Sequence, residues 1–334
     1  MKPSEPTQAS VYPLRFEPIY QYRLWGGRRL ADLLTAPLPG DGPIGEAWVL
    51  SDRADHASRV ADGPLEGRTL GELLELYPEQ MLGKLAGRYP RFPLLLKFLD
   101  VHELLSLQVH PADDRKDLLP AGETGKTEAW VVLEAGTKSR IYAGLKPGTT
   151  IDDLRRAVAS GVVADNVASF VPQQGDCVFL PAGTVHSLGD VVVFEIQENS
   201  DVTFRLDDWG HIDPRTGRPR ALQVDQALSA IDVAQGVIVP VSSVMEQTAP
   251  VERERLFDCE HFRLWRLRGQ SPFAVGAPGA PRVLVCIEGK GLVEHGGEVY
   301  AVGKGDVLLL PATVGVCAFR PSGPVTLLEA ALPQ

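Results

Sequence analysis

The chain has 334 residues, longer than the roughly 100–200 of one ordinary domain, so two domains are expected. Hydrophobic residues make up 44% and charged residues 23%, a globular composition that excludes a disordered polyelectrolyte. The 33 basic and 43 acidic residues leave a net charge of −10 with no Lys/Arg-rich block. This balance excludes nucleic acid as a partner and makes any anionic substrate depend on a local basic pocket.

Residues 1–13 are polar, with neither the apolar stretch nor the small-residue cleavage site of a signal peptide. The longest apolar runs, such as residues 93–96, fall far short of the about 20 residues of a membrane span. A cytoplasmic location and no membrane partner are expected. Helical spacing is confined to three stretches. Residues 69–85 carry Leu70, Leu73, Leu74 and Leu76 before a break at Pro78, residues 150–159 follow Lys146-Pro147-Gly148, and the third stretch is 225–231. Elsewhere short apolar runs alternate with turns rich in the 33 glycines and 27 prolines, so the fold reads mainly β. Cys177, Cys259, Cys286 and Cys317 show no C-x-x-C pairing and read as reduced, buried thiols.

Three segments carry candidate chemistry. In Gln108-Val109-His110-Pro111 the Gln and His are two apart and share one face of a strand. Lys126-Thr127-Glu128-Ala129-Trp130 repeats the device, placing Lys126, Glu128 and Trp130 on one side. His186 follows a strand end at Pro181 and a turn at Gly183 that aims it inward, a spacing that resembles the second cupin motif. Two imidazoles, a carboxylate and an amide oxygen form a mixed N/O set that suits Zn²⁺ with an open position. Taken singly, the same residues read as a strand cap, a surface ion pair and a packed histidine. Together on successive apolar strands they do not, because buried Lys, Glu and His are costly unless paired or metal-bound.

The His186 segment also has a second copy. Gly-Asp-x4-Pro-Ala at residues 175–182 recurs at 305–312, with apolar strand residues between, and the position of His186 is taken by Val316. Two domains of one kind follow: residues 1–240, a metal-binding barrel with helical insertions, and residues 241–334, a similar barrel without metal ligands.

At this point a family resemblance becomes specific. Ile44-Gly45-Glu46-Ala47-Trp48, Phe92-Pro93-Leu94-Leu95-Leu96-Lys97, the Gln108, Lys126 and Pro181 segments, and Gln197-Glu198-Asn199-Ser200-Asp201-Val202-Thr203-Phe204-Arg205-Leu206 resemble type I mannose-6-phosphate isomerases, in the family's order. The resemblance runs from about Trp25 to Trp209. It implies two cupin-type jelly-roll β-barrels, with a small helical insertion in the first, and one Zn²⁺ per chain on Gln108, His110, Glu128 and His186. It also implies active-site roles for Lys97, Lys126 and Arg205, and a small sugar phosphate as partner. One departure is His211, where the family pattern leads to an expected Arg.

The implied reaction interconverts mannose 6-phosphate and fructose 6-phosphate through a cis-enediol. The metal polarises the carbonyl, and Arg205 supplies a fixed positive charge near the developing oxyanion. For the base, Lys97 and a water on the metal stand as alternatives, with substrate binding as the other reading of Lys97. Lys126 orients Glu128 or a sugar hydroxyl. The rival readings are a metal-dependent isomerase of a related aldose, a cupin oxygenase, which needs redox-active iron, and a non-catalytic sugar-binding cupin.

Overall fold

Alternating apolar runs closed by Gly and Pro become antiparallel strands throughout the computed structural model, which describes residues 11–333. Residues 1–10 of the polar amino-terminal stretch lie outside the described residues. The chain forms two compact units, each a curled antiparallel β-structure of cupin type. One gathers Pro18–Ser51 and Pro93–Ser243, the other Met1–Glu17, Asp52–Phe92 and Val244–Gln334.

In the first of these, a nine-stranded sheet runs in the order Cys177–Leu180, Glu128–Leu145, His186–Glu198, Leu94–Val101, Ile19–Gly27, Ile44–Leu50. The short strand Leu107–Val109 bridges the start of His186–Glu198 to Phe204–Asp207. Trp25, Leu99, Trp130, Val132, Ile141, Val178, Leu188 and Val193 fill the interior. Helices Ile151–Ala159 and Val224–Ala230 bury Leu154, Ala157, Ala227 and Leu228 in a second cluster with Leu107, Val109 and Leu206. The first helix starts where Thr150 and Asp153 satisfy each other's backbone N–H groups in a capping box.

In the other unit a seven-stranded and a four-stranded sheet face each other across Leu267, Phe273, Leu284, Val293, Leu308, Phe319 and Leu327. The stretch expected to be helical over 69–85 begins at the Thr69–Glu72 capping box, and Pro78 opens a second helix at the expected break. The repeated segments share their form: strands Cys177–Leu180 and Val307–Leu310 follow Gly175 and Gly305, both at positive φ (92° and 87°). The next strands begin at His186, fully buried, and at Val316, exposed. None of the four cysteines is in a disulfide; Cys177, Cys286 and Cys317 are buried as expected, Cys259 is half-buried instead, and burial pushes the Cys286 thiol up to about 12, which makes it inert. Among the described residues no helix is long and apolar enough to cross a membrane.

Candidate active site

Two transverse rows of side chains, fixed by strand register, build the site. In the first row Trp48 lies opposite Lys97, Lys97 opposite Glu195, and Glu195 opposite Trp130, across four neighbouring strands. The register is realised in contacts. Lys97 Nζ is 3.3 Å from Glu195 Oε1 and 4.9 Å from the centre of the Trp48 ring, and Trp130 Nε1 donates to Glu195 Oε2 at 2.8 Å. Glu46, two residues before Trp48, accepts from the Trp48 and Arg23 side chains and lies 3.9 Å from Lys97 Nζ. Burial opposes its charge, but Arg23 and Lys97 prevail and hold its pKa down at about 2.

In the second row His186 lies opposite Gln108, and Gln108 opposite Arg205. His186 is aimed by its turn. Gly183, at φ 87°, donates its N–H to the His110 carbonyl at 2.7 Å, and a Cβ at that position would press on Asp232.

His110, Glu128 and His186 converge where the rows meet, with ligand atoms all within 4.8 Å of one another. His186 Nε2 is 3.3 Å from Glu128 Oε1, and His110 Nε2 is 3.5 Å from Glu128 Oε2. At these separations the two ring nitrogens and the carboxylate can all reach one ion placed between them. The tautomers fit as well. The Nδ1 of His110 donates to the Val202 carbonyl at 2.8 Å and that of His186 to the Thr184 carbonyl at 2.9 Å, which turns both Nε2 lone pairs to the centre. Burial, joined for His110 by the Lys126 charge, lowers both imidazole pKa values, that of His110 to about 4, so both rings are neutral and able to donate a lone pair.

Glu128 is fully buried, and neither of its oxygens accepts a hydrogen bond of proper geometry. Lys126 Nζ approaches its Oε2 to 2.6 Å, an ion pair by distance and charge alone. Burial opposes both charges, yet Lys126 keeps Glu128 ionised well below the usual carboxylate range, and Glu128 and Glu195 raise Lys126 above the usual lysine value. Lys126 is therefore a fixed cation. A buried carboxylate with unsatisfied lone pairs, facing two neutral imidazoles, is a donor set that fits a divalent metal. Gln108 stands beside it with its amide nitrogen 3.3 Å from His186 Nε2 and its oxygen accepting from Ser106 Oγ at 3.0 Å. A half-turn of the amide presents the oxygen instead without changing its shape.

A cleft of about 440 Å³ reaches this cluster through Gln108 and Lys126, which touch His186 and Glu128, and is lined as well by Lys97, Glu195, Arg23, Asp201, Arg205 and Arg220. The structure thus brings together every residue singled out in the sequence. It adds Glu195, Glu46, Arg23, Asp201 and Arg220. Glu195 escaped because strand alternation from His186, nine residues earlier, assigns it to the opposite face. At Asp190 (φ 52°) the register shifts, so His186 and Leu188 share the inner face with Val191, Val193 and Glu195. His211, the departure noted above, lies 3.8 Å from Asp208, which Arg220 also grips.

A family model of the catalytic domain of type I phosphomannose isomerase matches residues 14–127. The mannose-6-phosphate isomerase ManA of Bacillus subtilis (strain 168) is 33% identical over 309 residues, covering 91% of this chain and 94% of the relative. The chain belongs to the type I mannose-6-phosphate isomerase family. A mannose-6-phosphate isomerase of Streptococcus mutans is 32% identical over 307 residues, covering 90% of this chain and 93% of its own. The crystal structure of the mannose 6-phosphate isomerase from Bacillus subtilis superposes with a TM-score of 0.88 at 29% identity, over 96% of this chain and all of that one. Membership makes the chain an enzyme.

Proposed function

We propose that the chain interconverts mannose 6-phosphate and fructose 6-phosphate through a cis-enediol, with one Zn²⁺ held by His110, Glu128, His186 and the amide oxygen of Gln108. The observation that carries this reading is the ionised Glu128 between two neutral imidazoles, directly behind Gln108 and Lys126 of a cleft that Lys97 and Arg205 also line. When bound, the ion supplies Lewis-acid polarisation of the sugar carbonyl and charge stabilisation of the enediolate.

The protein's own groups do the rest. Isomerisation moves one proton between C2 and C1 and another between their oxygens, with no net oxidation. We assign the carbon proton to the Lys97–Glu195 pair: both are buried, the two charged atoms are 3.3 Å apart, and Glu195 Oε1 accepts no hydrogen bond. Arg205 has no ion-pair partner among the described residues, and its Nε has no acceptor, so it keeps a whole charge for the oxygen that becomes negative. Lys126 holds Glu128 in place and keeps the cleft beside it positive. The same reading places the chain in the cytoplasm, where its four free cysteines stay reduced. An assay coupling fructose 6-phosphate formation to a dehydrogenase, with metal analysis of the same sample, tests the proposal. Turnover proportional to bound zinc supports it, and binding of mannose 6-phosphate without turnover contradicts it.

A further inference from the structure

Resting on that isomerase reading, we propose that Arg220 anchors the phosphate of the sugar phosphate, at the end of the cleft bounded by the hairpin strands Ile212–Asp213 and Arg218–Pro219. Arg220 lines both the cleft and an adjoining hollow formed with Asp213, Thr216, Arg218 and Pro219. Its guanidinium is held like a fixed fork. Nε donates to Asp208 Oδ2 at 2.9 Å and Nη2 to Asp208 Oδ1, a bidentate grip by a buried carboxylate. Nη1 has no partner among the described residues, so one edge of the fork remains free to donate to an anion.

Asp208 alone does not neutralise this end. Arg205 is the other cation here, with its Nε unsatisfied, and after burial the charge of Arg220 is the largest influence depressing its pKa. Arg205 and Arg220 thus set like charges against each other in a partly desolvated pocket, a repulsion that a bound anion relieves. Of the other charges nearby, Arg23 is paired with Glu46, Asp201 lies 4.0 Å from Lys97 Nζ, and Asp213 accepts the Arg215 amide within the hairpin turn. The order along the cleft also suits the substrate. Gln108 beside the His–Glu–His cluster faces Arg205 across one strand pair, and Arg220, close enough to act on Arg205, also lines the adjoining hollow that neither Gln108 nor Arg205 reaches. A sugar whose reacting carbons sit at the cluster therefore extends its far, phosphorylated carbon toward Arg220.

The test compares the unmodified chain, Arg220→Ala and Arg220→Lys, with matched zinc content and thermal melts. Each is assayed on mannose 6-phosphate and on mannose, with inorganic phosphate as competitor and as calorimetric titrant. Loss of a charge-assisted anchor is expected to raise KM for mannose 6-phosphate by about 10- to 100-fold in Arg220→Ala while kcat changes far less. Inorganic phosphate should weaken by a similar factor, mannose, which lacks the phosphate, should lose far less than mannose 6-phosphate, and Arg220→Lys should fall between, because it keeps the charge and loses the fork. An unchanged KM for mannose 6-phosphate, an equal loss on both sugars, or unaltered phosphate affinity overturns the proposal. Should the unmodified chain fail to isomerise mannose 6-phosphate, the isomerase reading falls by itself. The calorimetric comparison then decides the anchor: phosphate bound by the unmodified chain and lost in Arg220→Ala supports it, and no phosphate binding overturns it.

Discussion

Gln108 stands directly opposite Arg205 in the antiparallel pairing of Leu107–Val109 with Phe204–Asp207. Side chains at such positions lie within about 5.5 Å at their Cβ atoms, so an unpaired guanidinium is set beside a residue assigned to the metal. Arg205→Ala is therefore expected to lower kcat on the order of 10²–10³, as removal of one oxyanion-stabilising donor does, with a smaller change in KM. Steady-state kinetics on zinc-matched protein reads this. A rise in KM with kcat unchanged would move Arg205 from the transition state to simple substrate binding.

The ligand variants should separate by donor strength. His110→Ala and His186→Ala are expected to lose bound metal and activity together, whereas Gln108→Ala, which removes a neutral amide, should retain part of both. Glu128→Ala does more than remove a ligand, because it strands the buried Lys126 charge at a cost of about 3–5 kcal/mol. Glu128→Gln keeps the volume and is the better probe. Elemental analysis should give one equivalent per chain, and two equivalents, with one surviving in His186→Ala, would count against the site.

Lys97 and Glu195 are expected to fail together. If the pair moves the carbon proton, Lys97→Ala and Glu195→Gln each reduce turnover and solvent-hydrogen exchange in step across the pH range, and the double variant loses little more than either single one. A variant with raised KM and normal exchange per turnover would leave that residue a binding group only.

Glu198 offers a test of the electrostatics apart from catalysis. Burial, together with neighbouring Asp113 and against the Thr127 N–H that it accepts at 2.7 Å, raises its carboxyl to about 7. A raised folded-state pKa means that the folded chain holds a proton the unfolded chain has released. The stability it contributes is complete below about 4.5 and is lost as pH rises through about 7. Glu198→Gln, permanently neutral, is therefore expected to be more stable than the unmodified chain at pH 8, by on the order of 2–3 kcal/mol, and about equal at pH 5. Urea titrations at the two pH values check the sign, and a gap that widens on acidification would contradict it.

The convergence of His110, Glu128 and His186 was legible in the sequence because its signals are local. Residues two apart share a strand face, as Lys126, Glu128 and Trp130 do, and a Pro-x-Gly turn aims the next histidine, as Gly183 does for His186. The helices were legible for the same reason, through the Thr69 and Thr150 caps. Glu195 was hidden by the register shift at Asp190, since period-two reasoning fails wherever a strand carries an extra residue. Arg220 and Arg23 were hidden because their roles depend on cross-strand and loop neighbours, Asp208 and Glu46, that no periodicity links to them. Sequence pattern likewise does not show that Asp52–Phe92 gathers with Val244–Gln334, which depends on long-range packing.

The proposal that reaches furthest is that the chain isomerises its substrate with bound zinc by proton transfer through an enediol. Mannose 6-phosphate incubated with the zinc-loaded chain in D₂O and followed by NMR tests it in one experiment. Fructose 6-phosphate is expected to appear with deuterium at C1, at a rate that falls in His186→Ala. Fructose 6-phosphate still free of deuterium at C1 after many turnovers at equilibrium would contradict the enediol in favour of a direct hydride shift, and no fructose 6-phosphate at all would contradict the isomerase assignment itself.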